Sequence, residues 1–288
     1  MKNAGIYLHI PFCLSRCSYC DFATGMYNEA SAERYVLNLI TEIESWREVE
    51  PPENVDTIYF GGGTPSLLTP PQLEALLKAV RERFTVSANS EITIEINPGS
   101  VTSDKLTAFR EIGINRASFG AQTFDDHELA RLGRSHSSND TRQTFRHLRD
   151  AGFDNISLDL IAGLPGQTMA GWKRILMKPS RCGLNTFLSI CWKSIRVHRS
   201  PITSRVDFSP SLMRTLPRRC MKQCWTGPSP KAMSTTKYQI SACLGGQRDT
   251  IRNTGSQRHT TASAVPHIPT TAGSGAGRMS AIWFAIAK

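Results

Sequence analysis

The sequence predicts an α/β fold: a partial parallel (β/α) barrel over residues 1–178, followed by a C-terminal third, residues 179–288, that is expected to be disordered. Three observations predict it. Short apolar strands alternate with amphipathic helices at crossover spacing, the pattern of a parallel sheet rather than of hairpins. Glycine-rich and polar residues gather at the C-terminal ends of those strands, where such barrels place their sites. After about Lys178 the alternation stops: glutamate disappears and Ser, Thr, Pro and Arg dominate, a composition that buries little apolar surface.

Taken in order, Ile6–Ile10 is an apolar strand. A helix over Ala30–Trp46 carries Tyr35, Leu37, Leu39, Ile40 and Ile43 at helical spacing, and Pro51-Pro52 breaks the chain after it. Val55–Phe60 is a strand that ends at Gly61-Gly62-Gly63-Thr64-Pro65-Ser66. Pro70-Pro71 opens a helix to about Phe84, with Leu73, Leu76, Leu77 and Val80 on one face. Ile92–Ile96 is a strand stopped by Asn97-Pro98-Gly99, and Ser103 caps a helix that runs to Ile112. Arg116–Gln122 is the next strand, followed by helical stretches at about 125–133 and 138–151. Asn155–Ile161 is a fifth strand, Gly163-Leu164-Pro165-Gly166 follows, and Met169–Lys178 begins another helix. No sixth strand is visible beyond it.

The chemistry starts in the loop after the first strand. Cys13, Cys17 and Cys20 stand in a C-x3-C-x2-C spacing. Thiolates are soft ligands that suit zinc or iron–sulfur clusters. A structural zinc site closes with four protein ligands, and this loop offers three. Three thiolates on a four-iron cube leave one iron free for a small molecule. Phe12, Tyr19 and Phe22 flank the cysteines and could shield a cluster from water. Downstream, Gly61-Gly62-Gly63 permits close backbone approach to a ligand. Glu95 is a carboxylate on a barrel strand, costly unless paired or used.

The stretch Ile6–Phe22, with Tyr7-Leu8-His9-Ile10-Pro11-Phe12-Cys13 and Tyr19-Cys20-Asp21-Phe22, resembles the radical SAM superfamily. Within it the motif looks like the oxygen-independent coproporphyrinogen oxidase family, and there the HemW-type heme chaperones. The dehydrogenases of that family carry a further cysteine two residues after the third; here that position is Phe22. The resemblance spans residues 5–178. It implies a [4Fe-4S] cluster on Cys13, Cys17 and Cys20, and S-adenosylmethionine on the open iron. It also implies contacts to that cofactor from Tyr7, Tyr19, Gly63, Thr64, Glu95, Gln122, Arg134 and Asp159. The implied reaction is one-electron reduction of the sulfonium to a 5′-deoxyadenosyl radical. Implied partners are heme or a porphyrin as cargo, heme-recipient proteins and an electron donor.

Charge is uneven along the chain. Residues 179–288 hold 16 Lys+Arg and 2 Asp+Glu, a net +14, whereas residues 1–178 carry a net −4. A basic tail suggests nucleic acid or a membrane surface, but this one lacks interleaved aromatics and any known module pattern. No nucleic-acid partner is expected, and membrane contact is expected to be peripheral at most. The sequence has no run of about 18 apolar residues to span a bilayer and no signal peptide, so eight cysteines point to a reducing cytoplasm rather than to disulfides.

The C-terminal third also lacks the H-N-x-x-Y-W motif that the resemblance implies. Cys220 and Cys224 imitate a ligand pair but have no strand before them. A frameshift accounts for this. A family-like Pro-Glu-His-Ile-Ser-Leu-Tyr-Met-Leu-Glu-Ile-His-Pro, with codons chosen to fit and read one base later, yields Leu184 to Arg196. His-Asn-Thr-Lys-Tyr-Trp read with the same offset yields Thr250 to Gly255. The expectation is therefore a radical SAM core followed by an out-of-frame segment with heme delivery impaired. The alternative activity is that of a coproporphyrinogen III dehydrogenase.

Overall fold

The computed structural model describes residues 3–20, 22–46, 54–180, 186–191, 237–241 and 282–286. Strand β1 (Asn3–Ile10) leads into two short strands, β2 (Phe12–Cys13) and β3 (Gly25–Met26), which pair around the cysteine loop. Then come α1 (Glu29–Ser45), β4 (Asn54–Gly62), α2 (Pro70–Arg83), β5 (Val86–Ile96) and α3 (Ser103–Glu111). β6 (Arg116–Gln122), α4 (Asp126–Arg131), α5 (Ser138–Asp150), β7 (Asn155–Ala162) and α6 (Met169–Ser180) complete the predicted alternation. Beyond it lie β8 (Thr186–Cys191), β9 (Lys237–Ser241) and β10 (Ile282–Ile286).

The main sheet runs β10-β1-β4-β5-β6-β7-β8-β9. Its neighbours are parallel throughout, except that β10 lies antiparallel to β1. Chain order thus equals spatial order from β4 to β9, the arrangement that repeated right-handed crossovers produce.

Helix boundaries follow local chemistry. Asn28 caps α1 by accepting from the Ser31 N–H. Thr69 and Gln72 form a reciprocal capping box at α2, with proline in the first turn, where its missing N–H costs nothing. Ser137 and Asp140 do the same for α5. At α3 the cap is Thr102, which accepts from the Lys105 N–H; Ser103, expected to cap it, is already helical. β5 starts at Val86, well before the apolar run that reveals it.

The sequence led us to expect no strand after Lys178. Instead β8 pairs with β7 from Ser157↔Thr186 to Ala162↔Cys191, and β9 and β10 extend the sheet at opposite ends. Thr186-Phe-Leu-Ser-Ile-Cys is a short β-prone run, and the composition of the surrounding hundred residues masked it. The expected core boundary at residue 178 falls inside α6. Asp21, Pro51-Pro52, Cys182, Cys220, Cys224, Cys243, His198, His259 and His267 lie outside the described residues.

The two faces of the sheet differ. Ile6, Leu8, Ile10, Ile58, Phe60, Ile92, Ile94, Ile96, Phe119, Leu158 and Leu160 are buried in one cluster with apolar residues of α1 and α2. Burial of each such side chain contributes roughly 1.5–3 kcal/mol. The intervening residues face the other way and are mostly polar. Register aligns Tyr7 with Tyr59, Tyr59 with Thr93, Thr93 with Arg116, and Arg116 with Asn155. Toward the C-terminal ends, Glu95 aligns with Ser118 and Ser118 with Ser157. Arg116 crosses this face, donating to Thr93 Oγ1 at 3.1 Å and Ser157 Oγ at 2.9 Å, with Glu91 at 3.8 Å.

Candidate functional site

The cysteine loop is pinned at both ends and in its middle. Pro11 accepts from the Gly25 N–H at 2.7 Å and Cys13 from the Tyr27 N–H at 2.9 Å, so β2 and β3 close its base. His9 Nε2 bonds the Ala23 carbonyl at 3.0 Å, and the Tyr35 hydroxyl donates to the His9 carbonyl at 2.6 Å. Far along the chain, the Leu132 carbonyl accepts from both the N–H and the hydroxyl of Ser18, at 3.2 and 3.1 Å. Cys13, Cys17 and Cys20 are free and half-buried. Phe12 packs edge-on to Tyr27 and Tyr35, and Tyr19 packs on Leu132, Ile161 and Leu164. Phe22, expected to shield the loop, is instead 63% exposed.

The glycine run packs against its own chain. A Cβ on Gly61 would lie 2.7 Å from the Tyr59 ring and 2.8 Å from the Tyr7 ring. At Gly62, φ is +117° and a Cβ would meet the His9 ring at 2.5 Å. At Gly63 it would strike the Phe12 carbonyl oxygen at 2.6 Å. The Gly63 N–H donates to Ile10 O at 2.8 Å and the Thr64 N–H to Phe12 O at 2.7 Å, so this loop and the cysteine loop form one backbone unit. Glu95 anchors it from the sheet: its carboxylate accepts from the Tyr59 hydroxyl at 2.8 Å and the Gly62 N–H at 3.0 Å. Burial raises the Glu95 carboxyl above its ordinary range, and these two donors oppose the rise.

A second arc joins Thr64, Asn97 and Arg134. Helix α4 ends with Gly133 at φ +70°. The Arg134 N–H reaches back to Leu129 O at 3.0 Å and the Gly133 N–H to Ala130 O at 3.1 Å, a Schellman termination. Helices α3 and α5 end the same way and send Ile114 and Phe153 into the core. At α4 the equivalent position sends Arg134 into the site. Its guanidinium donates to Gly120 O at 2.5 Å, Asn97 Oδ1 at 2.7 Å, Cys17 Sγ at 3.4 Å and the Tyr19 hydroxyl at 3.5 Å. Asn97 Nδ2 donates to Thr64 Oγ1 at 3.1 Å, and that hydroxyl lies 3.7 Å from Cys13 Sγ. Burial raises the Cys13 thiol, and the hydrogen bond from Thr64 opposes it.

Tyr7, Gln122 and Asp159 stand beside these groups. Tyr7 stacks on Tyr59 at 5.8 Å and reaches His9 Nδ1 at 3.3 Å; burial pushes its hydroxyl far up, as it does for Tyr19. Gln122 holds φ at 62° where the β6–β7 register slips, and it is 7% exposed. Burial, then the Glu95 charge, pushes Asp159 up to about 7. Burial and Arg134 lower His136 to about 4, leaving a neutral ring. Among the described residues, Gln122 Oε1 and Arg134 Nε are buried with no hydrogen-bond partner.

The cysteine loop, Thr64, Tyr19 and Arg134 thus meet in one set of contacts. Gln122 lies beside Arg134 at Gly120, and Glu95 adjoins them through the glycine loop. Tyr7 stands against that loop, and Asp159 lies within electrostatic reach of Glu95 and Arg134. Tyr59 bonds Glu95, Asn97 bonds Thr64 and Arg134, and His9 bonds Tyr7, and none of these three stands out by spacing. For Tyr59 a signal existed: it alternates with buried Ile58 and Phe60, so it shares the face of Glu95. The donor set fits an iron–sulfur cluster: three free thiols, two of them with hydrogen-bond donors at sulfur. No three His, Cys, Asp or Glu side chains among the described residues converge as a single ion requires. The unpartnered Gln122 and Arg134 atoms, with the Asp159 carboxyl within electrostatic reach of Arg134, fit a polar zwitterionic ligand.

The radical SAM superfamily model matches residues 7–177. The chain belongs to the radical SAM superfamily. Its curated relatives include heme chaperone HemW of Lactococcus lactis, 42% identical over 168 residues, covering 58% of this chain and 43% of the relative. HemW of Escherichia coli is 38% identical over 165 residues, covering 57% and 44%. The chain thus spans less than half the length of these relatives. Among solved structures, the radical SAM enzyme coproporphyrinogen III oxidase (HemN) of Escherichia coli aligns with a TM-score of 0.69. It is 26% identical and covers 78% of this chain and 52% of that one. A queuine lyase from Clostridium spiroforme aligns at 0.52 with 14% identity over 82% and 90%, a likeness of fold alone. No described helix is long and apolar enough to cross a membrane.

Proposed function

We propose that this chain is a [4Fe-4S] and S-adenosylmethionine-binding protein of the heme-chaperone type, acting in heme or porphyrin handling in the cytoplasm. The observation that carries the proposal is the loop of three free thiols, with Thr64 beside the Cys13 sulfur and Arg134 beside the Cys17 sulfur. Cys13, Cys17 and Cys20 would hold the cluster. When bound, the cluster and its cofactor supply one-electron cleavage of a sulfonium.

The residues present have separate tasks. Glu95 fixes the glycine loop, and with Asp159 it offers carboxyl oxygens to an ammonium or sulfonium. Arg134 and Gln122 offer a donor and an acceptor to the carboxylate and ribose of the cofactor. Tyr7 and Tyr59 form an aromatic wall below. The buried outer face keeps water away from the sheet side of the site.

Identities near 40% to proteins named heme chaperone HemW support heme as cargo; heme-recipient proteins and an electron donor are the partners proposed with it. Phe22, where the dehydrogenases carry cysteine, favours this branch. The second activity, a coproporphyrinogen III dehydrogenase, draws support from the likeness to HemN. We also propose that residues 179–288 are read out of frame, which would impair heme delivery. Sequencing the gene near codon 180 tests that: an uninterrupted frame with no displaced family-like reading refutes it.

The decisive experiment is anaerobic reconstitution with iron and sulfide. The wild type should take up one four-iron cluster and Cys13→Ala, Cys17→Ala, Cys20→Ala none; full iron in the triple variant refutes the site. With the cluster in place, Glu95→Ala should weaken S-adenosylmethionine binding, and unchanged affinity by titration removes Glu95 from the site. Gly63→Val should disturb cluster uptake as well, because its side chain would collide with the Phe12 carbonyl. Titrating the reconstituted protein with heme, and separately with coproporphyrinogen III, distinguishes chaperone from dehydrogenase.

A further inference from the structure

Asn97 bonds both groups that reach a thiol, Thr64 and Arg134, and the donors and acceptors available fix its orientation. A guanidinium has donors and no acceptor. The Asn97 oxygen must therefore face Arg134, at 2.7 Å, which turns the Asn97 nitrogen toward Thr64 Oγ1, at 3.1 Å. An amide nitrogen only donates, so Thr64 accepts there and its single hydroxyl proton is left over. Cys13 Sγ, 3.7 Å away, is where that proton can go. On the other side, the Asn97 oxygen and the Gly120 carbonyl hold one guanidinium nitrogen, leaving the other directed at Cys17 Sγ at 3.4 Å.

We propose that Asn97 is a positioning residue that aims one hydrogen-bond donor at each of two cluster-ligand sulfurs, Thr64 at Cys13 and Arg134 at Cys17, and thereby raises the cluster's reduction potential. The proposal rests on the cluster reading above. Donors at ligand sulfur favour the more negative, reduced state, so their loss lowers the potential. A carboxylate at position 97 reverses the arc. It only accepts, so the Thr64 hydroxyl turns to it and away from Cys13, and the pull on Arg134 draws the guanidinium from Cys17.

The test is a double-mutant cycle on the full-length, reconstituted protein, with iron content and midpoint potential as readouts. Iron uptake should match the wild type in Asn97→Asp, Thr64→Val and the double variant. Thr64→Val should move the potential to more negative values, and Asn97→Asp should move it further. The decisive comparison is the double variant, which should match Asn97→Asp alone, because Thr64 no longer serves Cys13 there. A charge acting through space would instead give additive shifts. Additive shifts, or no shift from Thr64→Val, overturn the proposal. Failure of either single variant to take up iron where the wild type does also overturns it, since the residue would then build the loop rather than aim donors. A wild type that takes up no cluster refutes the cluster reading itself.

Discussion

The two faces of the same strands are made from different materials. On the helix side, β1 and β4 present Leu8, Ile58 and Phe60, none of them accessible to solvent. One residue away, Tyr7, His9 and Tyr59 face inward with hydrogen-bonding groups in use. In a half-exposed sheet such alternation means core against water. Here it means core against a polar interior where charge is costly, as the raised Glu95 and Asp159 carboxyls attest. The helix side supplies stability, and the inner side holds groups whose ionisation the interior controls.

The sharpest way to break that contrast is Phe60→Ala. It should cost about 3–5 kcal/mol through lost burial and a cavity, measured by denaturant unfolding; a loss below about 1 kcal/mol would mean the outer face is not a packed core. On the neighbouring inner position, Tyr59→Phe removes one donor from a carboxylate and should cost about 1.5–3 kcal/mol. It should also loosen the Gly62 loop, visible as faster amide exchange there. Equal costs at the two positions would erase the distinction between the faces.

Asp159 adds a pH dependence that the outer face cannot have. Its carboxyl moves from 3.8 to about 7 on folding. The native state then binds the proton more tightly than the unfolded one, so stability falls as pH rises from about 4 to about 7. Asp159→Asn should remove that decline, read as the difference between the unfolding curves of variant and wild type at several pH values. A parallel pair of curves across that window would deny the shift. The smallest effect belongs to truly solvated charge: Lys78 and Glu82 sit 3.8 Å apart with side chains 74% and 63% exposed. Lys78→Ala should change stability by no more than about 0.5 kcal/mol.

Much of this was legible from residue order. The helix and strand alternation came from apolar periodicity, and the cysteine loop from a spacing few other structures require. Glu95 was visible as a carboxylate near a strand end, whereas Gln122, Arg134 and Asp159 were reached only through the family resemblance and their order along the chain. What stayed hidden depends on register and on distant partners. Asn97 looked like a strand stop because nothing local reveals that Thr64 and Arg134 meet it. The glycine run was expected to make room for a ligand, but the rings of Tyr7, Tyr59 and His9 are set there by strand pairing. Thr123, Glu128 and Gln167 form a chain of hydrogen bonds, buried at Thr123 and Gln167, that ties the end of β6, α4 and the loop after β7, and they come together only once the sheet is assembled. Strand β8 was missed for a different reason, since a six-residue run carries too little signal against a long biased background.

The bonds from Ser18 to Leu132 and from Arg134 to Cys17 span 114 and 117 positions of the chain. During synthesis the three thiols emerge first, while the groups that orient two of them are still unmade. Long-range partners of this kind delay the ordering of a segment until the intervening chain has folded. Metal delivery before that point would meet a slack loop, able to trap a lone ion or to oxidise. The architecture therefore imposes a schedule in which cluster loading follows folding of the central strands. Thiol labelling during refolding checks it: Cys17 should gain protection together with the β6–α4 region, and protection of Cys17 ahead of that region would contradict the schedule.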